Sequence, residues 1–216
     1  MAENAPRKDS SRHTGVLAFF VVGGLLLGSA TYNVLIPQNI RMILKLSLPI
    51  VLPILVLHFA TGGSMDDLYL KAGNIRLSLI VGGIGFAAFA GVGMLQAMGS
   101  GLMISTVIAS LPWGAAFIFA NAFMEELWFR ALFLKKLGPL VGVKTAIAAT
   151  SVVFALVHIS VTYASDILVF MVALLALALI WSWLMHRSNS IWGAVLFHAG
   201  GDVLVMIGFL VQSAAR

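Results

Sequence analysis

Long apolar runs divide this chain, and most of them are about as long as the helix that crosses a bilayer. They fall at residues 16–36, 42–61, 77–98, 103–133, 144–161, 167–185 and 190–212. A helix needs about 20 apolar residues to cross the hydrocarbon core, and it satisfies its own backbone hydrogen bonds there. The sequence therefore predicts an all-α fold, a polytopic membrane helix bundle of about seven transmembrane spans.

The fourth run is too long for one simple crossing. It contains Pro112, and a proline removes a backbone N–H and clashes with the preceding helical turn. Irregular backbone at membrane depth is tolerated where protein or a cavity surrounds it. We therefore predict that a loop or broken segment ends near Pro112 and gives way to the helix that carries Glu125.

Composition agrees with a membrane protein, because 61% of the residues are hydrophobic and 10% are charged. The mean hydropathy is +1.04. Cysteine is absent, which excludes disulfides, thiolate nucleophiles and cysteine metal ligands. The net charge of +5 could suggest nucleic acid, but the basic residues lie in short segments between apolar runs. A topology signal explains them better, so we expect the lipid bilayer as a partner and no nucleic acid.

The distribution of Lys and Arg predicts the orientation in the membrane, since cytoplasmic loops carry an excess of both. With a cytoplasmic N-terminus, the cytoplasmic side holds Arg7, Lys8, Arg12, Lys71, Arg76, Lys135, Lys136, Lys144 and Arg187. The opposite side holds only Arg41, Lys45 and Arg216. We therefore predict an integral, multi-pass protein of the plasma membrane with its N-terminus in the cytoplasm.

The N-terminal region allows two interpretations. Residues 1–14 are polar and lack periodicity, which predicts a disordered basic tail before a membrane domain at 15–216. Alternatively, the basic residues of this tail and the apolar stretch that ends in Gly28-Ser29-Ala30 resemble a cleaved signal peptide. The remaining spans keep the same orientation in either case.

Charged residues inside the apolar runs carry the functional signal. Glu125, Glu126, Arg130 and Asp202 all lie in such runs. An ionised side chain at the centre of a membrane helix costs roughly 2.5 to 3.5 kcal/mol. The four together cost on the order of 12 kcal/mol, which is comparable with the stability of a typical fold. Partners must offset that cost, and a function must justify it.

Helical spacing separates the roles of the two adjacent glutamates. Glu126 and Arg130 are four residues apart, so they share a face and can form a charge-assisted pair with a structural role. Glu125 is turned about 100° from Glu126 and is free to meet another helix. Asn121 lies one turn before Glu125 and could hydrogen-bond that carboxylate or a substrate. A carboxylate without a fixed cation suits general-base work on water.

Two further helices supply side chains that could meet Glu125. Phe154 and His158 share one helix face, and His198 and Asp202 share another. Small residues between His198 and Asp202 allow another backbone or a substrate to approach closely. A histidine with a carboxylate one turn away is an arrangement that fixes a tautomer or supports a metal ligand.

These segments together resemble three motifs of a known family. Glu125-Glu126-x-x-x-Arg130, Phe154-x-x-x-His158 and His198-x-x-x-Asp202, in this order on successive membrane helices, resemble the motifs of the CPBP family of CAAX proteases and bacteriocin-processing enzymes, also called Abi. The segment from Asp67 to Arg76 resembles the usual lead-in of that family. The resemblance covers about residues 65 to 212.

The resemblance implies an intramembrane endopeptidase that acts on a peptide or membrane-protein substrate, which can be lipidated. It implies that Glu125 activates water, that Glu126 and Arg130 support it, and that His158 and His198 hold water or stabilise the oxyanion. Asp202 would orient His198. Two residues depart from the family pattern, because Ala131 replaces the common glycine and Asp202 replaces the asparagine of prenyl-protein members. The second departure weakens any transfer of CAAX specificity.

Several alternatives stay open. His158, His198 and Glu125, or Asp202 in place of Glu125, could supply the three ligands of a catalytic zinc. The same residues could act on water directly, which is the mechanism that we favour. Outside proteolysis, the polar cluster could be structural, could form a transport or proton-relay path, or could belong to a catalytically silent scaffold or immunity-type factor.

Overall fold

The structure is a computed structural model that describes residues 50–52, 54–55, 64–161 and 166–214. Every regular element within these ranges is helical. Among the described residues, four helical segments are long and apolar enough to cross a membrane. The prediction of seven spans is not confirmed, because the run at 16–36 and most of the run at 42–61 lie outside the described residues. The predicted tail at 1–14 and the alternative signal peptide lie outside them as well.

The helices follow one another with short connections. A 3₁₀ turn at Met65–Leu68 precedes α1 (Ile75–Gly99) and α2 (Ile104–Glu126), and α2 continues into a π-helix (Leu127–Leu134). The later elements are α3 (Lys135–Val141), α4 (Val143–Leu156), α5 (Ile167–Ser188) and α6 (Trp192–Ala214). The runs predicted at 77–98, 167–185 and 190–212 agree with α1, α5 and α6 to within a few residues.

Two of the predicted spans differ from the structure. The run at 144–161 gives only the 14 residues of α4, which is shorter than the length that crosses a bilayer. The run at 103–133 becomes one uninterrupted helical segment of 38 residues, Ile104–Val141. Such a segment is longer than the hydrocarbon core is thick, so it must tilt or extend beyond the core.

The predicted break at Pro112 is wrong. Pro112 lies inside α2, on an exposed face, and the helix continues through it. Membrane helices tolerate proline, because neighbouring groups and local adjustments satisfy the freed backbone carbonyl. The departure from α-helical geometry comes later, at the π-helix that contains Arg130. Short π-helical stretches occur frequently at functional sites.

Helices α1 and α6 pack with their backbones in contact, and this packing fixes the position of α6. A Cβ atom added to Gly82 would lie 2.6 Å from the carbonyl oxygen of Gly193. One added to Gly200 would lie 2.6 Å from Phe86 Cα. Only glycine allows so close an approach between membrane helices. Since Gly200 lies between His198 and Asp202, the contact holds both side chains at a set depth.

The segment before α1 is attached to the connection between α5 and α6. The backbone N–H of Asn74 donates to Ser188 O at 2.6 Å, and that of Ile191 donates to Tyr69 O at 3.0 Å. Burial raises the pKa of the Tyr69 phenol, so the ring stays neutral and offers its face to Lys135, whose Nζ lies 4.6 Å from the ring centroid. These contacts anchor the first turn of α6, which leads to His198.

Candidate active site

Glu126 and Arg130 form a buried ion pair across the junction of α2 and the π-helix. Arg130 Nη1 donates to Glu126 Oε1 at 3.1 Å, and both side chains are fully buried. Glu126 Oε2 and Arg130 Nη2 have no hydrogen-bond partner within the part of the chain that the structure describes. The pair is therefore held by one direct hydrogen bond and by the side chains that pack around the guanidinium.

Three side chains from α4 and α5 surround the guanidinium of Arg130. Its Cζ lies 4.0 Å from the centroid of the Phe154 ring and 5.4 Å from that of the Trp181 ring. Its Nε lies 3.4 Å from Ser182 Oγ, which itself donates to the carbonyl of Ala178 at 2.8 Å. A cation over a desolvated aromatic face gains about 2 kcal/mol. We call Glu126, Arg130, Phe154, Trp181 and Ser182 the arginine cluster.

His198 connects the arginine cluster to the open part of the site. Its Nδ1–H donates to Glu126 Oε1 at 2.8 Å, and this bond sets the orientation of the ring. The ring stacks on Trp181 with a centroid distance of 4.1 Å and an interplanar angle of 8°. Its other nitrogen, Nε2, then lies 3.5 Å from Glu125 Oε2 and 3.8 Å from Asp202 Oδ1.

Glu125 lies between the two histidines. Its Oε1 is 3.7 Å from His158 Nε2, while its Oε2 is 3.5 Å from His198 Nε2. These separations exceed the range of a direct hydrogen bond, so neither histidine fixes the carboxylate. His158 Nδ1–H donates to the carbonyl of Phe154 at 2.8 Å. A neutral His158 therefore turns the lone pair of Nε2 toward Glu125.

Asp202 and Asn121 form a contact between α6 and α2. The amide nitrogen of Asn121 donates to Asp202 Oδ2 at 3.1 Å. The other carboxylate oxygen, Oδ1, is the one that lies 3.8 Å from His198 Nε2. The sequence led us to expect Asn121 near Glu125 or a substrate, whereas its hydrogen bond goes to Asp202.

A cavity of about 530 Å³ opens beside these groups. Its polar end is lined by Asn121, Glu125, His158, His198 and Asp202. The rest of the lining is mainly apolar and follows α5 and α6, as far as Phe170 and Phe209. Glu126 and Arg130 are not part of the lining. The two adjacent glutamates thus face different surroundings, one a cavity and the other a packed core.

The suggested zinc ligands do not meet the geometry of a metal site. The candidate set was His158, His198 and either Glu125 or Asp202, and a catalytic zinc needs three such ligands with an open position. Within the described ranges, no group of three or more His, Asp or Glu side chains could hold a metal ion. We therefore assign no metal ligand and derive no step through a metal.

Every candidate residue that the sequence indicated reaches this region. The eight are Asn121, Glu125, Glu126, Arg130, Phe154, His158, His198 and Asp202. Two further contributors, Trp181 and Ser182, were not predicted. They lie side by side in an otherwise apolar run of α5, and an indole N–H next to a hydroxyl in such a run could have indicated a polar contact. Spacing alone gives no partner for them, because their partners, Arg130 and His198, lie on other elements.

Residues 106–204 match the family model described as Rce1-like, type II CAAX prenyl endopeptidase Rce1-like. This match places residues 106–204 in the CPBP/CAAX protease family. The matched segment contains all three motifs, and the predicted family is confirmed. No curated protein and no solved structure matches the chain.

The match at residues 106–204 implies a protease. Together with the apolar helices, it makes the chain an integral membrane protein. A membrane environment and a peptide substrate follow at the level of the family.

Proposed function

We propose that this chain is an intramembrane endopeptidase in which Glu125 activates a water molecule for attack on a peptide carbonyl. One observation carries the proposal: the carboxylate of Glu125 faces a cavity between the Nε2 atoms of two histidines, at 3.7 and 3.5 Å. The neighbouring glutamate is already engaged by Arg130 and His198. Glu125 is therefore the carboxylate that can accept a proton from water.

The hydrolysis needs no group beyond those that line the cavity. Water held between Glu125 and the lone pair of His158 Nε2 attacks the carbonyl carbon, and Glu125 accepts its proton. His198, when protonated at Nε2, donates to the oxygen on which negative charge develops. As the C–N bond breaks, the proton on Glu125 passes to the leaving nitrogen. Glu126 and Arg130 hold His198 in place for this role.

The shape of the cavity supports an apolar or lipid-attached substrate. Its lining extends from Trp181 to Phe170 on α5 and from His198 to Phe209 on α6. Each stretch advances 11 residues, or about 16 Å at the rise of an α-helix. We infer that the activity is CAAX-type processing or another maturation of membrane peptides. Because Asp202 stands where the prenyl-protein members commonly carry asparagine, prenyl dependence has to be measured.

The proposed orientation has support from contacts between loops. Asn74 meets Ser188, and Lys135 meets Tyr69, so Lys71, Arg76, Lys135 and Arg187 gather at one end of the helices. A basic end of this kind belongs on the cytoplasmic side. We propose that the chain lies in the plasma membrane with this end and the N-terminus in the cytoplasm. Reporter fusions at these loops should stay on the cytoplasmic side, and exported reporters would contradict the orientation.

The direct test compares the termini of membrane proteins in cells that carry the parent chain or Glu125→Gln. The amide keeps the shape of the side chain but cannot accept a proton. Asp66→Asn is the matched control, because Asp66 is an exposed carboxylate whose partner is Lys71 at 3.8 Å, away from the cavity. New termini should appear with the parent and the control and should be absent with Glu125→Gln. Identical termini in all three would favour the catalytically silent scaffold or the transport path.

A further inference from the structure

The polar end of the cavity is rich in hydrogen-bond acceptors. Both histidines use Nδ1–H within the protein, His158 on the carbonyl of Phe154 and His198 on Glu126. In their neutral forms, each presents a lone pair at Nε2. The ionised carboxylates of Glu125 and Asp202 accept hydrogen bonds only. A peptide carbonyl is itself an acceptor, so these four groups hold water well but offer its oxygen no neutral donor.

Asn121 differs from its neighbours in this respect. Its side-chain amide has two N–H donors, and Asp202 Oδ2 takes one of them at 3.1 Å. The second N–H has no hydrogen bond among the described residues, and the side chain lines the cavity beside Glu125. Two other lining residues carry neutral N–H groups: Gln96 on α1, and Trp181, whose Nε1 is buried without a hydrogen-bond partner among the described residues. Asn121 differs from both because it lies one helical turn before Glu125 on α2.

We propose that Asn121 is a further catalytic residue, whose second amide N–H donates to the substrate carbonyl oxygen, with Asp202 as the positioning residue that holds the amide. This inference rests on the proposed function and adds the source of the neutral donor. The hydrogen bond from Asn121 to Asp202 stops the amide from rotating, so its free N–H keeps one direction. As Glu125-activated water attacks, the carbonyl oxygen gains negative charge and this bond strengthens.

The arrangement predicts a specific pattern of loss and rescue. Asn121→Leu keeps the approximate side-chain shape and removes both donors. Losing one donor to an oxyanion typically lowers kcat by about 100- to 1,000-fold, and we expect a loss in that range. In the double variant Asn121→Leu with Asp202→Asn, the asparagine side chain at position 202 supplies an amide donor from α6. The leucine at position 121 cannot hydrogen-bond to it. That double variant should recover at least about tenfold over Asn121→Leu.

The rate measured is the formation, after induced synthesis of the protein, of a membrane-protein terminus that depends on Glu125. Thermal stability of each purified full chain is measured in parallel. Gln212→Leu is the matched control, because it makes the same change in an exposed amide of α6 outside the cavity lining. The control should form the terminus at the parent rate.

Each outcome decides between the donor role and its alternatives. A purely structural contact between α2 and α6 predicts that Asn121→Leu loses thermal stability and that the double variant is no better. If Asp202 acts only through its charge and Asn121 donates nothing to the substrate, Asn121→Leu stays active. Either result overturns the inference while Glu125→Gln stays inactive. If no terminus depends on Glu125, the proposed function itself is overturned, and the role of Asn121 with it.

Discussion

Glu125 and Glu126 are adjacent in the chain, yet the two regions around them differ in almost every physical respect. In the arginine cluster, Glu126 is fully buried and its Oε1 accepts from both Arg130 and His198. In the cavity, Glu125 is partly exposed and its nearest nitrogen atoms are 3.5 and 3.7 Å away. A helix turns about 100° per residue, and that single step separates the two environments.

The comparison shows how one short motif can combine rigidity with reactivity. Removing one partner of a buried pair leaves an uncompensated charge, so Glu126 and Arg130 tolerate little change. The pair holds His198 through a 2.8 Å bond, and His198 forms one wall of the cavity. Glu125 therefore needs no short hydrogen bond from either histidine to keep its place, because the buried pair maintains the geometry around it.

The largest effect on stability is expected from Arg130→Ala. The change leaves Glu126 buried without its cation and empties the space beside Phe154 and Ser182. Breaking a buried pair in this way costs about 3 to 5 kcal/mol, so folded yield and melting temperature should both fall. Arg187→Ala, at an exposed arginine near the end of α5, is the control. Equal thermal stability of the two variants in detergent would remove the structural role of the pair.

A smaller loss is expected from Phe154→Leu. The ring of Phe154 lies 4.0 Å from Arg130 Cζ, and it is fully buried. Leucine fills much of the space but offers no aromatic face, so the variant should lose about 1 to 2 kcal/mol. The melting temperature of the leucine variant should fall even though leucine is apolar, because the guanidinium loses its aromatic face. An unchanged melting temperature would show that the aromatic face contributes nothing.

Ser182→Ala should have a modest effect of about 1 kcal/mol, the typical net contribution of one hydrogen bond. It removes the oxygen that Arg130 Nε approaches at 3.4 Å. Ser213→Ala is the matched control, since that exposed hydroxyl donates to the carbonyl of Leu210 in its own helix. The first variant should unfold at a lower denaturant concentration than the second. Coincident unfolding curves would exclude Ser182 from the arginine cluster.

Removal of metal is expected to have no effect, and this prediction concerns the cavity rather than the arginine cluster. If Glu125 acts on water directly, the purified enzyme stays active after treatment with a strong chelator and after dialysis against metal-free buffer. A bound catalytic zinc predicts about one metal per chain and a reversible loss of activity on its removal. Metal analysis of active enzyme, before and after chelation, separates the two mechanisms.

Local patterns predicted a large part of this fold. Apolar length gave the positions of α1, α5 and α6 closely, because each is a continuous helix with polar residues at its ends. It failed for the run at 103–133, where Pro112 suggested a break. The helix continues through Pro112, because membrane helices tolerate proline where other groups satisfy the freed carbonyl. The span count depends in part on runs that lie outside the described residues.

Helical spacing also indicated which side chains share a face, but it could not indicate their partners on other helices. The pairing of Glu126 with Arg130 is an i, i+4 relation and can be read from the sequence. The bond from His198 to Glu126 and that from Asn121 to Asp202 join residues 72 and 81 positions apart. They depend on how α2 and α6 pack. Trp181 was missed for the same reason, since its role comes from stacking on His198.

The most direct test of the account compares Glu125→Gln with Glu126→Gln, two identical changes at adjacent positions. For each variant, the yield of membrane-protein termini that appear on synthesis of the parent chain is measured in cells, and the melting temperature is measured on the purified full chain. We predict that Glu125→Gln abolishes cleavage and melts at the parent temperature, whereas Glu126→Gln melts at a lower temperature because Arg130 loses its counter-charge. Retained cleavage by folded Glu125→Gln, or a larger loss of stability at Glu125 than at Glu126, would contradict the account.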